Sequence, residues 1–303
     1  MPEPLSETEA AACPAAAREM LARYLAGEVS AEIALMHLLL RAGAVPPLQH
    51  SLQTLAATGR DAFVRLARLA AQNSAGLERA ARLVEAGLTE AAGEDRVAAI
   101  REQYDRAVAL APEAAVALYS LGAPAILERA TGELATLLDG WGLLGADRDA
   151  LDIGCGIGRI ERALAPRLRH IVGIDLSPAM IAEAKRRCAD IANVAFAVCD
   201  GRALPPFPEA GFDLVLAVDS FPCVVSAGGD IAARYIREAA RMLRPGGVLA
   251  IFNYSYRDDL AADRTDIAAN AAAAGLHVRR NGTSDLSLWD GTSFLLSSPS
   301  RRG

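Results

Sequence analysis

The sequence predicts an α/β fold in which a mostly parallel sheet, with helices on both faces, follows an all-helical N-terminal region. In the first half of the chain, apolar residues recur every three or four positions and no convincing strand pattern is found. From Asp149 onward, short apolar runs alternate with helical segments, which is the pattern of a parallel sheet covered by helices. We therefore divide the 303-residue chain into a helical region, residues 1–145, and a second domain, residues 146–303.

The N-terminal region is predicted to be a succession of amphipathic helices. They span residues 14–26, 30–42, 59–71, 76–92, 94–110 and 124–139. In the second of them, Ser30 is typical of a helix N-cap and Gly43 of a helix C-terminus. Such a region would cover a ligand cleft, shape a substrate pocket or mediate homodimer formation, and the sequence does not choose among these roles.

The second domain contains seven predicted strands. Their sequences, in order, are ALDIG, HIVGIDL, VAFAVCD, FDLVLAVDS, GGVLAIFNYSY, LHVRR and SLWDGTSFLLSS. Between them, helices are predicted from residue 157, from Pro178, over 229–243 and over 259–275. Strands that alternate with helices in this way predict a mostly parallel seven-stranded sheet.

Charge and composition exclude several classes of function. The net charge is −6, so the basic face of a nucleic-acid-binding protein is not visible, and nucleic acid is not an expected partner. The sequence contains no run of roughly 18 strongly apolar residues, so a membrane span is not expected. The N-terminus lacks the layout of a signal peptide. The five cysteines and four histidines lack metal-ligand spacing, so we expect no metal site. The odd number of cysteines and the lack of an export signal lead us to expect reduced thiols and a cytoplasmic location.

A glycine-rich turn joins the first predicted strand of the second domain to the helix that follows it. Its sequence over residues 151–158 is LDIGCGIG, an acidic residue followed by three glycines at alternate positions. Glycine allows a tight turn there and a close approach of the backbone to a ligand at the carboxyl end of a strand. The dinucleotide fingerprint G-x-G-x-x-G requires a further glycine where this chain has Arg159, which argues against a nicotinamide oxidoreductase.

This turn resembles motif I of class I S-adenosylmethionine-dependent methyltransferases, and three further landmarks follow in that family's order. Asp175 ends the second strand, the pair Asp200-Gly201 follows the third, and the R-P-G-G turn of residues 244–247 precedes the fifth. The resemblance implies a Rossmann-like domain that binds S-adenosylmethionine as its cofactor. The cofactor-binding residues that it implies are Asp152, Gly154, Cys155, Gly156, Gly158, Asp175, Leu176, Asp200 and Gly201.

The resemblance also implies roles for individual side chains, and each role has a structural alternative. Asp175 would accept hydrogen bonds from the ribose hydroxyls, Asp200 from the exocyclic amine of the adenine, and Asp152 would contact the methionine end. Alternatively, Asp200 caps the segment after it, because aspartate is favoured at caps. Asp175 would then be a solvated carboxylate at a strand end, and Asp152 a purely structural residue. Tyr104, in a Y-D-x-x-A element, and Tyr119 are candidates for closing over the methionine carboxylate, with helix packing as the alternative.

The methyl acceptor is expected at the loop that follows the fourth strand. Asp219 is the candidate base or substrate anchor there, and a base is needed where the acceptor atom carries a proton. Further candidate pocket residues are Ser220, Phe221, Asn253, Tyr254 and Tyr256. Pro222-Cys223 matches the dipeptide of cytosine C5 methylases, but the acidic balance of the chain favours Cys223 as a small apolar filler.

The sequence thus predicts an enzyme that transfers a methyl group from S-adenosylmethionine to a small-molecule acceptor, on oxygen, nitrogen or carbon. One alternative is a catalytically inactive relative that binds the cofactor, or nothing, and acts through its helical half. Another, less favoured, is a cytosine C5 methyltransferase that acts on RNA or DNA.

Overall fold

The computed structural model describes residues 4–13, 15–88 and 94–300. The chain divides into two compact units, which we call the helical unit and the sheet unit. The helical unit comprises Met1–Glu90, Arg106–Ala130 and Leu286–Asp290, and the sheet unit comprises Ala91–Asp105, Thr131–Asp285 and Gly291–Gly303. This division groups residues 91–105 and 131–145 with the sheet, although they precede the boundary predicted at residue 146.

The described part of the helical unit is built from helices. They are α1 (Glu7–Ala11), α2 (Arg18–Leu25), α3 (Ala31–Ala42), α4 (Val45–Ala56), α5 (Asp61–Gln72), α6 (Ser74–Glu85) and α8 (Pro112–Val116), while α7 (Arg96–Leu110) and α9 (Pro124–Gly140) have residues in both units. Short 3-10 helices lie at Ala15–Ala17 and Leu118–Ser120.

Helix α3 begins and ends where the sequence predicts. The hydroxyl of Ser30 accepts a hydrogen bond from the backbone N–H of Ile33 at 3.1 Å, and Gly43 ends the helix with a φ of 73°. Helix α4 follows almost at once and was not predicted. It starts with Pro46 and Pro47 in its first turn, where a missing N–H costs no intrahelical hydrogen bond.

Two predicted helices are shorter in the structure. The helix predicted over 76–92 ends at Glu85, because Gly87 takes a φ of 63° that a continuing helix does not allow; residues 89–92 lie outside the described residues. The helix predicted over 14–26 begins only at Arg18, after a 3-10 turn, and residue 14 lies outside the described residues.

Leucine side chains dominate the core of the helical unit. Among the fully buried residues are Leu21, Leu35, Leu39, Leu48, Leu55 and Phe63. The segment Leu286–Asp290 packs in the same unit, where the indole ring of Trp289 stacks on the ring of Tyr119 with 5.7 Å between centroids. The hydroxyl of Ser30 also donates a hydrogen bond to the carbonyl of Leu288 at 3.1 Å. The C-terminal part of the chain therefore completes this core.

The sheet unit contains the seven strands that the sequence predicts. They are β1 (Gly145–Ile153), β2 (Leu168–Asp175), β3 (Val194–Val198), β4 (Phe212–Val218), β5 (Leu243–Phe252), β6 (His277–Thr283) and β7 (Ser293–Ser297). The intervening helices are α10 (Arg159–Leu164), α11 (Pro178–Arg187), α12 (Phe221–Ser226), α13 (Ile231–Met242) and α14 (Leu260–Ala273), with a 3-10 helix at Ala165–Arg167. The last predicted strand, SLWDGTSFLLSS, is shorter, because its first residues join the helical unit.

The strand order is β3-β2-β1-β4-β5-β7-β6, and β7 is antiparallel to both of its neighbours. The other neighbouring pairs are parallel, so the predicted mostly parallel sheet is confirmed. After β1 the chain builds outward to β2 and β3, then returns to the other side of β1 for β4. This reversal between β1 and β4 opens a crevice at the carboxyl ends of the strands, which is where ligands bind in open α/β sheets. No helix within the described ranges is long and apolar enough to cross a membrane.

Candidate cofactor and acceptor site

The glycine turn lies at the carboxyl end of β1 and is packed too closely for side chains. Gly154 has a φ of 77°, and a Cβ atom there would lie 2.3 Å from the Cβ of Ser220. Gly158 has the same φ, and a Cβ there would lie 3.1 Å from the Cβ of Ala184 on α11. The backbone N–H of Gly154 donates to the carbonyl of Ile174 at 2.7 Å. The turn is therefore pressed between β2, α11 and the loop after β4.

Asp175, at the end of β2, fixes this turn to the start of α11. One carboxylate oxygen accepts a hydrogen bond from the N–H of Gly156 at 2.9 Å, and the other accepts from the N–H of Ser177 at 2.9 Å. Burial raises the pKa of Asp175 to about 6, although both backbone hydrogen bonds act in the opposite direction. The carboxylate is therefore an organising group of the turn, and its contact with a ribose stays a prediction.

Asp152 is enclosed beneath the turn together with Glu161 of α10. Their exposed fractions are 1% and 0%, and none of their four carboxylate oxygens has a hydrogen-bond partner among the described residues. Burial raises the pKa of Asp152 to about 7 and that of Glu161 well above its usual value. Burial thus favours the protonated, uncharged form of both carboxyls. The contact predicted between Asp152 and the methionine end stays a prediction, and no sequence pattern singled out Glu161.

The loop after β3 carries the pair Asp200-Gly201. The side chain of Asp200 accepts hydrogen bonds from the N–H groups of Arg202 at 2.8 Å and Ala203 at 3.0 Å, so it caps the turn that follows. This is the structural alternative that the sequence left open, and contact with an adenine stays a prediction. A Cβ on Gly201 would lie 2.9 Å from the side chain of Val97 and 3.5 Å from that of Leu176.

Asp219 and Asn253 lie at the ends of the neighbouring strands β4 and β5. Both are non-glycine residues with positive φ, 59° and 67°, a conformation that costs about 1–3 kcal/mol each and is concentrated at functional sites. The side-chain amide of Asn253 donates to the Asp219 carboxylate at 2.9 Å, and the Tyr256 hydroxyl donates to the same oxygen at 2.8 Å. The structure thus brings together three of the predicted acceptor-site residues.

Tyr104 of α7 reaches the same region. Its hydroxyl lies 3.2 Å from the thiol of Cys223, and the Cys223 neighbour together with burial raises the pKa of Tyr104 well above its usual value. Burial raises the pKa of the Cys223 thiol to about 11, so the group is protonated at neutral pH. A cytosine C5 methylase attacks with a thiolate, and the environment of Cys223 is that of an unreactive thiol.

Three predicted site residues lie in hydrophobic cores. Tyr119 is 3% exposed and stacks on Trp289 within the helical unit. Phe221 and Tyr254, 0% and 2% exposed, stack on each other at 5.8 Å within the core of the sheet unit. Ser220 holds the acceptor loop to β1, since its hydroxyl donates to the carbonyl of Ile153 at 2.5 Å. The predicted contacts of these residues with cofactor or acceptor stay predictions.

Comparison with known proteins agrees with this architecture. Residues 151–251 match the family model described as "Methyltransferase domain". The demethylmenaquinone methyltransferase of Tropheryma whipplei (strain Twist) is 33% identical over 111 residues, which cover 37% of this chain and 44% of that protein. The 2-methyl-6-phytyl-1,4-hydroquinone methyltransferase of Synechocystis sp. is 34% identical over 110 residues, which cover 36% of this chain and 33% of that protein. The chain thus spans less than half the length of these relatives.

A solved structure extends the likeness of fold. The magnesium protoporphyrin IX methyltransferase from Synechocystis PCC 6803, crystallised with bound S-adenosylmethionine, gives a TM-score of 0.51 at 17% identity. The superposition covers 69% of this chain and 100% of that chain. The match of residues 151–251 to the methyltransferase-domain model agrees with the strand order of the sheet unit and with its glycine turn.

Proposed function

We propose that this protein transfers a methyl group from S-adenosylmethionine to a small-molecule acceptor that carries an ionisable hydroxyl, of the phenol or hydroquinone class. The observation that carries the proposal is the position of Asp219. The residue next to it, Ser220, touches the glycine turn at Gly154, so a carboxylate with two neutral donors stands directly beside the predicted cofactor crevice.

The residues present fit the cofactor. The lack of side chains at Gly154 and Gly158 lets the turn pack closely at the carboxyl end of β1, and Asp175 at the end of the neighbouring strand holds it through the N–H of Gly156. Leu176 and Gly201 lie close together, since a Cβ on Gly201 would lie 3.5 Å from the Leu176 side chain. When bound, S-adenosylmethionine would supply an electrophilic methyl group on a sulfonium.

The chain's own contribution to the reaction is alignment and removal of a proton. Asp219 would take the hydroxyl proton of the acceptor while the bond from the acceptor to the methyl carbon forms and the methyl–sulfur bond breaks, with its electron pair left on sulfur. Asn253 and Tyr256 hold the carboxylate in place by hydrogen bonds to one oxygen. The two relatives described above carry a quinone-type or hydroquinone acceptor in their names, which supports this acceptor class.

We also propose a cytoplasmic location, which rests on the five scattered cysteines of the sequence. A homodimer formed through the helical half of the chain is a further proposal, and sedimentation of the purified protein at several concentrations tests it.

Calorimetric titration and a methyl-release assay test the proposed activity. We expect S-adenosylmethionine and S-adenosylhomocysteine to bind and NADH not to bind. With a panel of substituted hydroquinones and catechols as acceptors, Asp219→Asn should reduce kcat at least about 100-fold, which is the scale of a general base. The matched control is Asp230→Asn, which replaces a surface aspartate paired with Arg234 on α13 and should leave turnover unchanged. Full turnover in Asp219→Asn would exclude its role as the base.

A further inference from the structure

The start of helix α7 lies across the crevice of the sheet unit, and we call residues 94–105 the strap. Val97 and Tyr104 are seven residues apart, so they project from the same face of the helix, roughly 10 Å from each other along its axis. Val97 packs against Gly201, which also neighbours Leu176, and Tyr104 contacts Cys223 of the acceptor loop. The same helix face therefore reaches both ends of the proposed cofactor crevice.

One residue ties the strap to the start of α11. A single carboxylate oxygen of Asp105 accepts a hydrogen bond from the Ser177 hydroxyl at 2.5 Å and another from the N–H of Ala179 at 3.1 Å. Ser177 already caps α11, because its hydroxyl accepts from the N–H of Met180 at 3.0 Å. Asp105 thus adds a carboxylate from a separate helix to a helix start that has its own cap.

The cap of α11 is continuous with the glycine turn. Asp175 accepts from the N–H of Ser177 on one side and from the N–H of Gly156 on the other. The hydrogen bonds therefore run from Gly156 through Asp175 and Ser177 to Asp105. Because Asp105 is next to Tyr104, this anchoring also fixes the rotation of α7 about its axis and directs Tyr104 toward the acceptor loop.

The other end of the strap is held more weakly. Asp95 pairs with Arg202 at 2.6 Å, but both side chains are more than half exposed, and such ion pairs contribute little. Val97 adds an apolar contact with Gly201 there. The partly buried contact at Asp105, in which one carboxylate oxygen accepts two hydrogen bonds, is thus stronger than the exposed ion pair.

We propose that Asp105 is a positioning residue that latches the strap over the cofactor crevice, and that release of this latch accompanies exchange of S-adenosylmethionine for its demethylated product. This inference rests on the proposed function. Asp105 touches neither end of the crevice itself and acts through Tyr104 and Val97. It should therefore govern cofactor affinity and residence time, and leave the methyl-transfer step nearly unchanged.

The test compares two substitutions at the same position. Asp105→Ala removes both hydrogen bonds and should raise the Kd for S-adenosylhomocysteine about 10- to 100-fold, mostly through faster dissociation. Asp105→Asn keeps an oxygen that accepts from Ser177 and Ala179, so its Kd should stay within about threefold of the wild type. In turnover, Asp105→Ala should raise KM for S-adenosylmethionine while kcat at saturation changes little.

A helix cap outside the hydrogen-bonded chain of Asp105 provides the matched control. Asp259 accepts from the N–H of Ala262 at the start of α14, so Asp259→Ala removes a helix cap of the same kind and should leave the Kd unchanged. Equal Kd values for wild type and Asp105→Ala would overturn the proposal, as would equal losses in Asp105→Ala and Asp259→Ala. Should Asp105→Ala fail to fold, Ser177→Ala, which removes the buried donor, takes its place with the same expected rise in Kd.

Hydrogen exchange of the ligand-free protein separates this inference from the proposed function. Failure of the wild type to bind either form of the cofactor would refute the proposed function alone. In that case, faster amide exchange over residues 97–105 in Asp105→Ala than in Asp105→Asn would support the latch, and identical exchange in the two variants would overturn it.

Discussion

Replacing Glu161 with glutamine is expected to stabilise the sheet unit increasingly as the pH rises from 5 to 8. Glu161 and Asp152 are buried side by side without hydrogen-bond partners among the described residues. Glutamine has nearly the shape of the protonated glutamic acid and does not ionise. The difference in unfolding free energy between the variant and the wild type should therefore grow from pH 5 to pH 8.

The magnitude follows from proton linkage. Burial raises the pKa of Asp152 to about 7 and that of Glu161 well above its usual value, whereas both are near 4 in an unfolded chain. Stability from such groups is fully present below pH 4 and is lost as the pH rises through the folded-state pKa. For each proton that only the folded state retains, the unfolding free energy falls by about 1.4 kcal/mol per unit of rising pH. Glu161→Gln removes one of these protons, so the two curves should diverge at about this rate.

Urea unfolding at pH 5, 6, 7 and 8 measures the divergence. The chain has two tryptophans, and a Trp289→Phe background leaves Trp141 of the sheet unit, which stacks on Phe252, as the reporter. Glu183→Gln is the matched control, because Arg186 and Arg187 hold the pKa of Glu183 at about 2 and its effect should not vary over this range. If the unfolding free energies of Glu161→Gln and wild type changed in parallel with pH, the folded protein would not retain a proton on Glu161.

Three other substitutions test the site. Gly154→Ala should unfold at lower temperature by several degrees and lose cofactor binding, because the new methyl group meets Ser220 and the φ of 77° is strained; scanning calorimetry with and without S-adenosylmethionine measures both. Asp175→Ala should weaken cofactor binding by about 1–3 kcal/mol, and unchanged calorimetric affinity would remove it from the site. Cys223→Ser should keep turnover within about tenfold, whereas abolished activity would restore Cys223 as a nucleophile.

Local patterns were enough to predict much of the architecture. Ser30 and Gly43 mark the ends of α3 because a cap is a contact between residues three or four positions apart. The seven strands follow from short apolar runs, and the glycine turn follows from spacing alone. The carboxylates Asp175 and Asp219 lie at the carboxyl ends of strands on either side of β1. The reversal of strand order there places both at the same edge of the sheet, which the sequence of strands and helices alone predicts.

The remainder depends on contacts that sequence spacing does not encode. Asp105 meets Ser177 across 72 positions, and nothing in either neighbourhood indicates the pairing. From its charge, Glu161 would be placed on the solvent face of an amphipathic helix, but in the structure it is fully buried. Tyr254 and Phe221, placed after β5 and β4, stack on each other in the core of the sheet unit, a contact that their sequence positions do not indicate.

The placement of Leu286–Asp290 in the helical unit bears on how the protein is made. Trp289 stacks on Tyr119, which precedes it by 170 positions, so this contact forms only after residue 289 has been synthesised. Until then the ring of Tyr119 lacks this partner, and apolar surface that waits for a partner favours aggregation during synthesis. A chain shortened before residue 286 would lack this contact permanently.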